Sequence, residues 1–400
     1  MLGLILFHTA RIFDLLPYYI KNEETSIVFM GLVGFVSQWG MPLLFFLAGI
    51  ASWHSLGRRS PGQYVKERIK RLAIPFLFGI CVIVPPARYY SLLTDPDYTE
   101  SFWQFYPKFF RVVFAPGFPQ FIRADPSVGL FDTAHLWFLY HLFFFSLMAL
   151  PLFIYLRSDS GQHLVSRLLR ICGRRGAILL LGILVILIEL FVNLGGSVGW
   201  NRYAFLSFLI YGYFFASQPE FEKLAGRDAI IAMIAGIFAI AFFFLASILA
   251  REAGIDPSHG YAMESVLWRF FKGCSAWFWV VAIWGLAYRY RQRQNTEKQQ
   301  ITAIPIGNPL PGDRVSRYSN EAVLPFYIIH EPVIVIIGFY VVRWQTNLLA
   351  KYIAISLASF IVTLLLYELF VRRINVMRIL FGMRLKKHFV KRSSSQMNLI

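Results

Sequence analysis

Two histidines lie in apolar stretches beside groups able to tune an imidazole. His8, in LFHTARIFD, is followed at three-residue spacing by Arg11, and Arg11 by Asp14. On a helix this spacing sets the imidazole and the guanidinium on neighbouring parts of one face. A lone membrane histidine is more often a hydrogen-bonded packing residue, but one with a cation and a carboxylate nearby suits general-base work. His330, in FYIIHEPVIVIIGFYVV, is followed by Glu331 and Pro332. The proline lacks an N–H and frees carbonyls about a turn earlier, loosening the helix beside the polar pair. A kink alone needs no His-Glu pair, so a functional reading is preferred here too.

A second pair, His135 and His141, sits in AHLWFLYHLFFF. Six residues advance a helix by about 600°, leaving the rings about 120° apart, so they cannot chelate one metal from a shared face. His135 is expected to line a site and His141 to be a core residue. Trp137 and Tyr140 fit an interfacial belt as well as a substrate wall. Arg68 and Arg71, three apart in YVKERIKRLAIPFLFG with Lys66 and Lys70, could grip phosphate oxygens. Membrane topology alone explains such cations, and on spacing alone that explanation is preferred.

The elements that must position these residues are membrane helices. The 400 residues are 57% hydrophobic and 15% charged, outside the range of water-soluble domains. The formal charge of +17 lies in short clusters between apolar runs, which is the pattern of positive-inside topology. No soluble domain exists to present a nucleic-acid patch. Ten candidate spans fall at 1–17, 27–53, 72–93, 134–156, 177–194, 203–217, 229–250, 263–288, 321–343 and 349–371, the first and sixth short. Lys and Arg concentrate on alternate connections: 58–71, 157–175, 223–227, 289–317 and the tail after 371. Those connections and both termini are expected to be cytoplasmic. The fold class is therefore an all-α polytopic bundle of about ten helices. Other charges inside these runs are Arg88, Glu189, Glu264, Arg269, Lys272 and Glu368.

Residues 1–371 are read as one transmembrane domain and 372–400 as a basic cytoplasmic tail, whose MRILFGMRLKKHF suits an anionic inner leaflet. The outer connection 94–133 is aromatic but broken by Pro107, Pro116, Gly117 and Pro119, so it is either an interfacial anchor or a roof over an outward site. Residues 289–320 read as a flexible linker. Cys81, Cys172 and Cys274 have no pairing or metal spacing and are taken as packing residues. No internal repeat and no signal peptide are evident.

Five stretches, in order, resemble one family: LFHTARIFD, FFLAGIASWHSL, RIKRLAIPFLFG, HLWFLYHLFFFS and RYSNEAVLPFYIIHEPVI. The chain resembles the membrane O-acyltransferases of acyltransferase family 3, and within them the branch that includes glucan biosynthesis protein C. The resemblance implies transfer of an acetyl or succinyl group from cytoplasmic acyl-CoA to a hydroxyl of an envelope carbohydrate at a bacterial inner membrane. Acyl-CoA is then a co-substrate, and no bound cofactor or metal is expected. His8 matches the family's first-helix histidine, the expected base. Arg68 and Arg71 match its paired arginines facing CoA phosphates, and His135 and His330 its HLWFL and YxxH histidines. His330 and Glu331 join His8 as expected catalytic residues, and Arg11, Asp14, His135 and Trp137 as substrate-binding ones.

Two departures stand out. The family usually has an arginine about eleven residues before the first-helix histidine, a position that here would precede Met1: either the chain starts earlier, or that arginine is lacking and activity is in doubt. It often shows Gln where this chain has Glu331, a change expected to alter donor choice or the local pKa. The competing function is a transporter or flippase for a glycan or lipid-linked sugar, which would favour repeat symmetry and several broken helices. A non-catalytic scaffold leaves His8, His330 and Glu331 without a purpose.

Overall fold

The apolar runs fold as helices, and breaks fall where charge, proline or glycine interrupts them. A computed structural model describes residues 2–114, 121–192, 200–301 and 311–385, with the backbone alone for Leu2, 296–301 and 311–317. Pro116, Gly117, Pro119, Lys386, Lys387, Lys391 and Arg392 lie outside the described residues. The helices are α1 (Leu2–Ala10), α2 (Ile27–Leu56), α3 (Pro61–Leu92), α4 (Phe102–Phe109), α5 (Ala134–Met148), α6 (Leu150–Tyr155) and α7 (Asp159–Ile171). Then follow α8 (Ala177–Phe191), α9 (Arg202–Ala216), α10 (Glu220–Glu252), α11 (Met263–Ile301), α12 (Pro311–Val341), α13 (Leu348–Val371) and α14 (Asn375–Leu380). A two-stranded antiparallel ribbon pairs β1 (Val112–Phe114) with β2 (Ile122–Ala124), Val113 opposite Arg123. Side-chain oxygens of Ser60, Ser101, Asn201 and Asn347 accept the first free amides of α3, α4, α9 and α13.

Six helices among the described residues have the length and composition to cross a membrane: α2, α3, α10, α11, α12 and α13. The protein is a membrane protein with a mostly helical fold. The first candidate span is corrected. Helix α1 ends at Ala10, because Asp14 is fully buried and gathers Arg11 Nη1 (2.5 Å), Lys21 Nζ (2.9 Å) and the Leu16 amide (3.0 Å) into a turn. Nine residues rise only about 14 Å, too little to cross. Within 289–320, α11 continues to Ile301 and α12 starts at Pro311, and 302–310 lie outside the described residues.

Contacts gather the basic connections at one end of the bundle. Arg157 stacks over Trp53 at the end of α2 (4.6 Å), Arg227 donates to Gly173 O (2.6 Å), and Arg378 pairs with Glu321 (2.5 Å). Phe381, just after α14, is buried against Phe78, so the chain after α13 docks on α3. Helices α2 and α9 meet at two glycines: a Cβ on Gly212 would overlap the Phe46 carbonyl, and one on Gly49 the Leu209 carbonyl. This is close backbone approach through small residues. Two charged residues of the apolar runs neutralise each other: Lys272 Nζ lies 2.8 Å from Glu189 Oε2, with the ammonium over Trp200 (4.3 Å) and Trp268 (4.7 Å).

The connection 94–133 packs back along α3. Phe105 and Phe109 of α4 are fully buried, and Tyr106 Oη donates to Cys81 O at 2.9 Å. That carbonyl lies in a π-helical turn, Gly79–Ile83, and the residues four and five ahead are Pro85 and Pro86. Neither carries an N–H, so no helical donor exists and Tyr106 supplies one. Tyr106→Phe leaves a mid-helix carbonyl unpaired and is expected to destabilise the fold by about 1–3 kcal/mol, read as a lower unfolding temperature in detergent. An unchanged transition would show that Cys81 O finds its partner elsewhere.

Candidate active site

Four side chains converge where α1, α5 and the middle of α12 meet. Glu331 is the hub. Its Oε1 accepts from Tyr18 Oη at 2.9 Å and lies 3.4 Å from His8 Nδ1, while its Oε2 lies 2.8 Å from His135 Nδ1. His330 sits between the other rings, 5.0 Å from His8 and 5.2 Å from His135 between centroids, both edge-on. The side chains of His135 and Glu331 are 2% and 5% exposed and His8 17%, which makes His8 the ring of the cluster with an open side.

Proline sets part of this geometry. Pro332 has no N–H for the carbonyl four residues earlier, Ile328 O, and that oxygen faces His135 Nε2 at 3.1 Å. A carbonyl only accepts, so Nε2 of His135 carries a proton. Its other nitrogen, Nδ1, faces Glu331 Oε2 at 2.8 Å. His330 Nδ1 lies against its own helix, 2.8 Å from Tyr327 O and 3.1 Å from Phe326 O. It must therefore be the N–H, which leaves Nε2 of His330 as a buried lone pair with no hydrogen-bond partner among the described residues. In His8, Nδ1 faces Glu331 and a tyrosine whose own proton is already given to Glu331, so Nδ1–H donates and Nε2 is the basic nitrogen.

Two loops hold the cluster from outside the helices. The Asp14 turn delivers Tyr18 and Tyr19; Tyr18 reaches Glu331, and Tyr19 Oη donates to Asp132 Oδ2. Asp132 Oδ1 also accepts from the Ala134 amide (2.9 Å), and Tyr327 Oη donates to His135 O. Ala134 has φ +47°, a left-handed conformation unusual for a residue other than glycine and found just before a site histidine.

Of the residues expected from sequence, His8, His135, His330 and Glu331 come together. Arg11 and Asp14 do not join them. With α1 ended at Ala10 the second half of the expected helix-face spacing does not exist, and Arg11 turns to Asp14, Pro17 O (2.7 Å) and the Tyr18 ring. Trp137 packs against His141 and Phe205, away from the hub, and His141 is fully buried with Nδ1 2.8 Å from Trp137 O. Arg68 and Arg71 lie at the basic end. Arg68 stacks on Tyr64 (4.6 Å) and reaches Ser52 Oγ (3.3 Å), and Arg71 Nε is 3.3 Å from Glu67. Eight residues of α3 separate Arg71 from Gly79, where Leu136 packs, a rise of about 12 Å. Among the described residues no group of three or more His, Cys, Asp or Glu is arranged to hold a metal ion. Tyr18, Tyr19 and Asp132 escaped the sequence reading; Asp132, three before His135, and Tyr327, three before His330, were the available spacing signals.

The structure thus defines a class: a membrane protein with a buried carboxylate ringed by three imidazoles. The sequence matches the acyltransferase 3 family, described as an acyltransferase domain, over residues 1–368, and the chain belongs to that family. No curated protein and no solved structure matches it. It is a membrane acyltransferase.

Glu331→Ala strips the acceptor from Tyr18, His8 and His135 together. Breaking a buried charge pair on one side costs about 3–5 kcal/mol, so this variant should unfold at a clearly lower temperature than Trp137→Phe, which touches no group of the cluster by a polar contact. Equal transitions for the two would mean that Glu331 is not the hub.

Proposed function

We propose that this chain transfers an acyl group, acetyl or succinyl, from acyl-CoA to a hydroxyl of an envelope carbohydrate such as a glucan or exopolysaccharide, in the branch of the family that includes glucan biosynthesis protein C. The observation that carries the reading is the His8–Glu331 pair: Nδ1 lies 3.4 Å from a buried carboxylate, on a ring whose side chain is 17% exposed. Membership of an acyltransferase family favours this over a glycan transporter.

In this reading Nε2 of His8 takes the proton of the acceptor hydroxyl as its oxygen attacks the thioester carbonyl. Glu331 fixes the tautomer and balances the imidazolium that forms. The C–S bond then breaks, an O-acyl ester is left on the sugar, and the proton passes from His8 to the departing CoA sulfur. His330, its Nε2 unpartnered beside His8, is the second proton acceptor of the site. His135 and Tyr18 hold Glu331 in place. Arg68 and Arg71 receive the CoA phosphates at the basic end, and the extended arm of the donor runs along α3, where the rise from Arg71 to Gly79 beside Leu136 is about 12 Å. Arg11 and Asp14 serve the acceptor side by holding the turn that carries Tyr18.

The gathering of basic connections at one end supports a cytoplasmic placement of that end and of the C-terminal tail, with residues 1–371 as one multi-pass domain in a bacterial inner membrane. The test feeds labelled acetyl-CoA and succinyl-CoA to membranes containing the protein and measures O-acylated glycan. His8→Ala is expected to lower kcat about 100- to 10,000-fold, and full transfer by that variant would refute the base. Arg68→Gln with Arg71→Gln should raise the KM for acyl-CoA about 10- to 100-fold, from the loss of charged hydrogen bonds, with a smaller change in kcat.

A further inference from the structure

At the basic end, away from the histidine cluster, a cavity of about 620 Å³ lies between α7 and the start of α8, lined by Arg167, Arg170, Ile171, Arg174, Ala177 and Leu180. The three arginines follow at three- and four-residue spacing and share one side of α7 and the turn after it. None has an acidic partner among the described residues. Topology and the helix C-terminus account for cations here. They do not account for the aliphatic half of the cavity, where Ile171 is 59% and Leu180 70% exposed.

Leu180 begins a stripe on α8: Ile183, Leu184, Leu187 and Phe191 follow at helical spacing, all exposed. Arginines therefore top a surface that runs down the helix as hydrocarbon. The rim is preformed. Arg227 of α10 donates to Gly173 O (2.6 Å), Cys172 O (3.2 Å) and Arg174 O (2.8 Å), and Asp228 accepts from the Gly176 amide (3.1 Å), so the turn between α7 and α8 is tied to a neighbouring helix.

We propose that this cavity binds one anionic phospholipid of the adjoining leaflet, its phosphate on Arg167, Arg170 and Arg174 and its acyl chain along Leu180, Ile183, Leu184 and Leu187. Charge selects the head group: guanidiniums pair with phosphate oxygens in a fork, and a zwitterionic head brings its own cation against them. The exposed stripe selects a lipid over a soluble anion, because free phosphate leaves Ile171 and Leu180 uncovered.

The purified full-length chain in detergent is titrated separately with phosphatidylglycerol and phosphatidylcholine, and bound lipid is counted by native mass spectrometry, with an arm containing millimolar inorganic phosphate. Phosphatidylglycerol should bind at least tenfold more tightly, and phosphate should not displace it. Each of Arg167→Gln, Arg170→Gln and Arg174→Gln should weaken the tightest binding event roughly fivefold, and all three together on the order of 100-fold. Arg291→Gln with Arg293→Gln, on α11 at the same end, should leave it unchanged. These side chains are exposed, so the single variants keep the wild-type elution profile and decide the matter if the triple variant does not. Equal affinity for the two lipids, an unaltered triple variant, or an equal loss in the α11 control would overturn the proposal. Displacement by millimolar phosphate would make it a soluble-anion site instead.

Discussion

One buried carboxylate ties the functional half of the molecule together. Glu331 lies on α12, yet its two oxygens are shared among Tyr18 from the turn after α1, His8 from α1 itself and His135 from the start of α5. An ionised carboxylate in hydrocarbon is costly unless donors surround it, and here three groups from three separate parts of the chain do so. Each depends on the others. Tyr18 reaches Glu331 because Asp14 closes its turn, and His135 does so because Ala134 adopts a left-handed conformation beside Asp132. The site is thus a packing constraint as much as a chemical one.

Prolines act in this bundle by withholding a donor. Pro332 leaves Ile328 O to a histidine of another helix, and Pro85 with Pro86 leaves Cys81 O to a tyrosine of a connecting segment. In hydrocarbon an unpaired carbonyl must find a partner, so each missing N–H becomes a fixed attachment point between elements distant in sequence. The irregular turns of α3 at Ile69–Ala73 and Gly79–Ile83 belong to the same logic, since both precede prolines.

Much of the helix content was legible because apolar runs of this length have few other uses. The candidate spans at 27–53, 263–288 and 349–371 correspond closely to the cores of α2, α11 and α13. The histidines were legible because an imidazole in lipid is conspicuous, and Glu331 because it adjoins one. What failed was local. Residues 11–17 are as apolar as a helix end should be, and only the burial of Asp14 by Arg11 and Lys21, a tertiary event, turns the chain there. Tyr18 and Tyr19 gave no signal because tyrosine at a helix end is ordinary, and Asp132 offered only its three-residue spacing from His135; the Tyr19–Asp132 pairing spans more than a hundred residues. Trp137 stands two residues from His135, and two helical residues face different ways, which is why it packs with Phe205 instead.

The pair formed by Glu189 and Lys272 bears on biogenesis. Glu189 is synthesised 83 residues ahead of the ammonium that neutralises it. Until α11 emerges, the charge of Glu189 near the end of α8 has no counter-ion, a penalty below the roughly 2.5–3.5 kcal/mol for a charge at mid-membrane. Its short apolar length offers little surplus with which to stay inserted alone. The Asn201 amide gives Glu189 one donor early, at 3.1 Å, but the charge itself is balanced only once Lys272 lies between Trp200 and Trp268, so the insertion of α8 is coupled to that of α11.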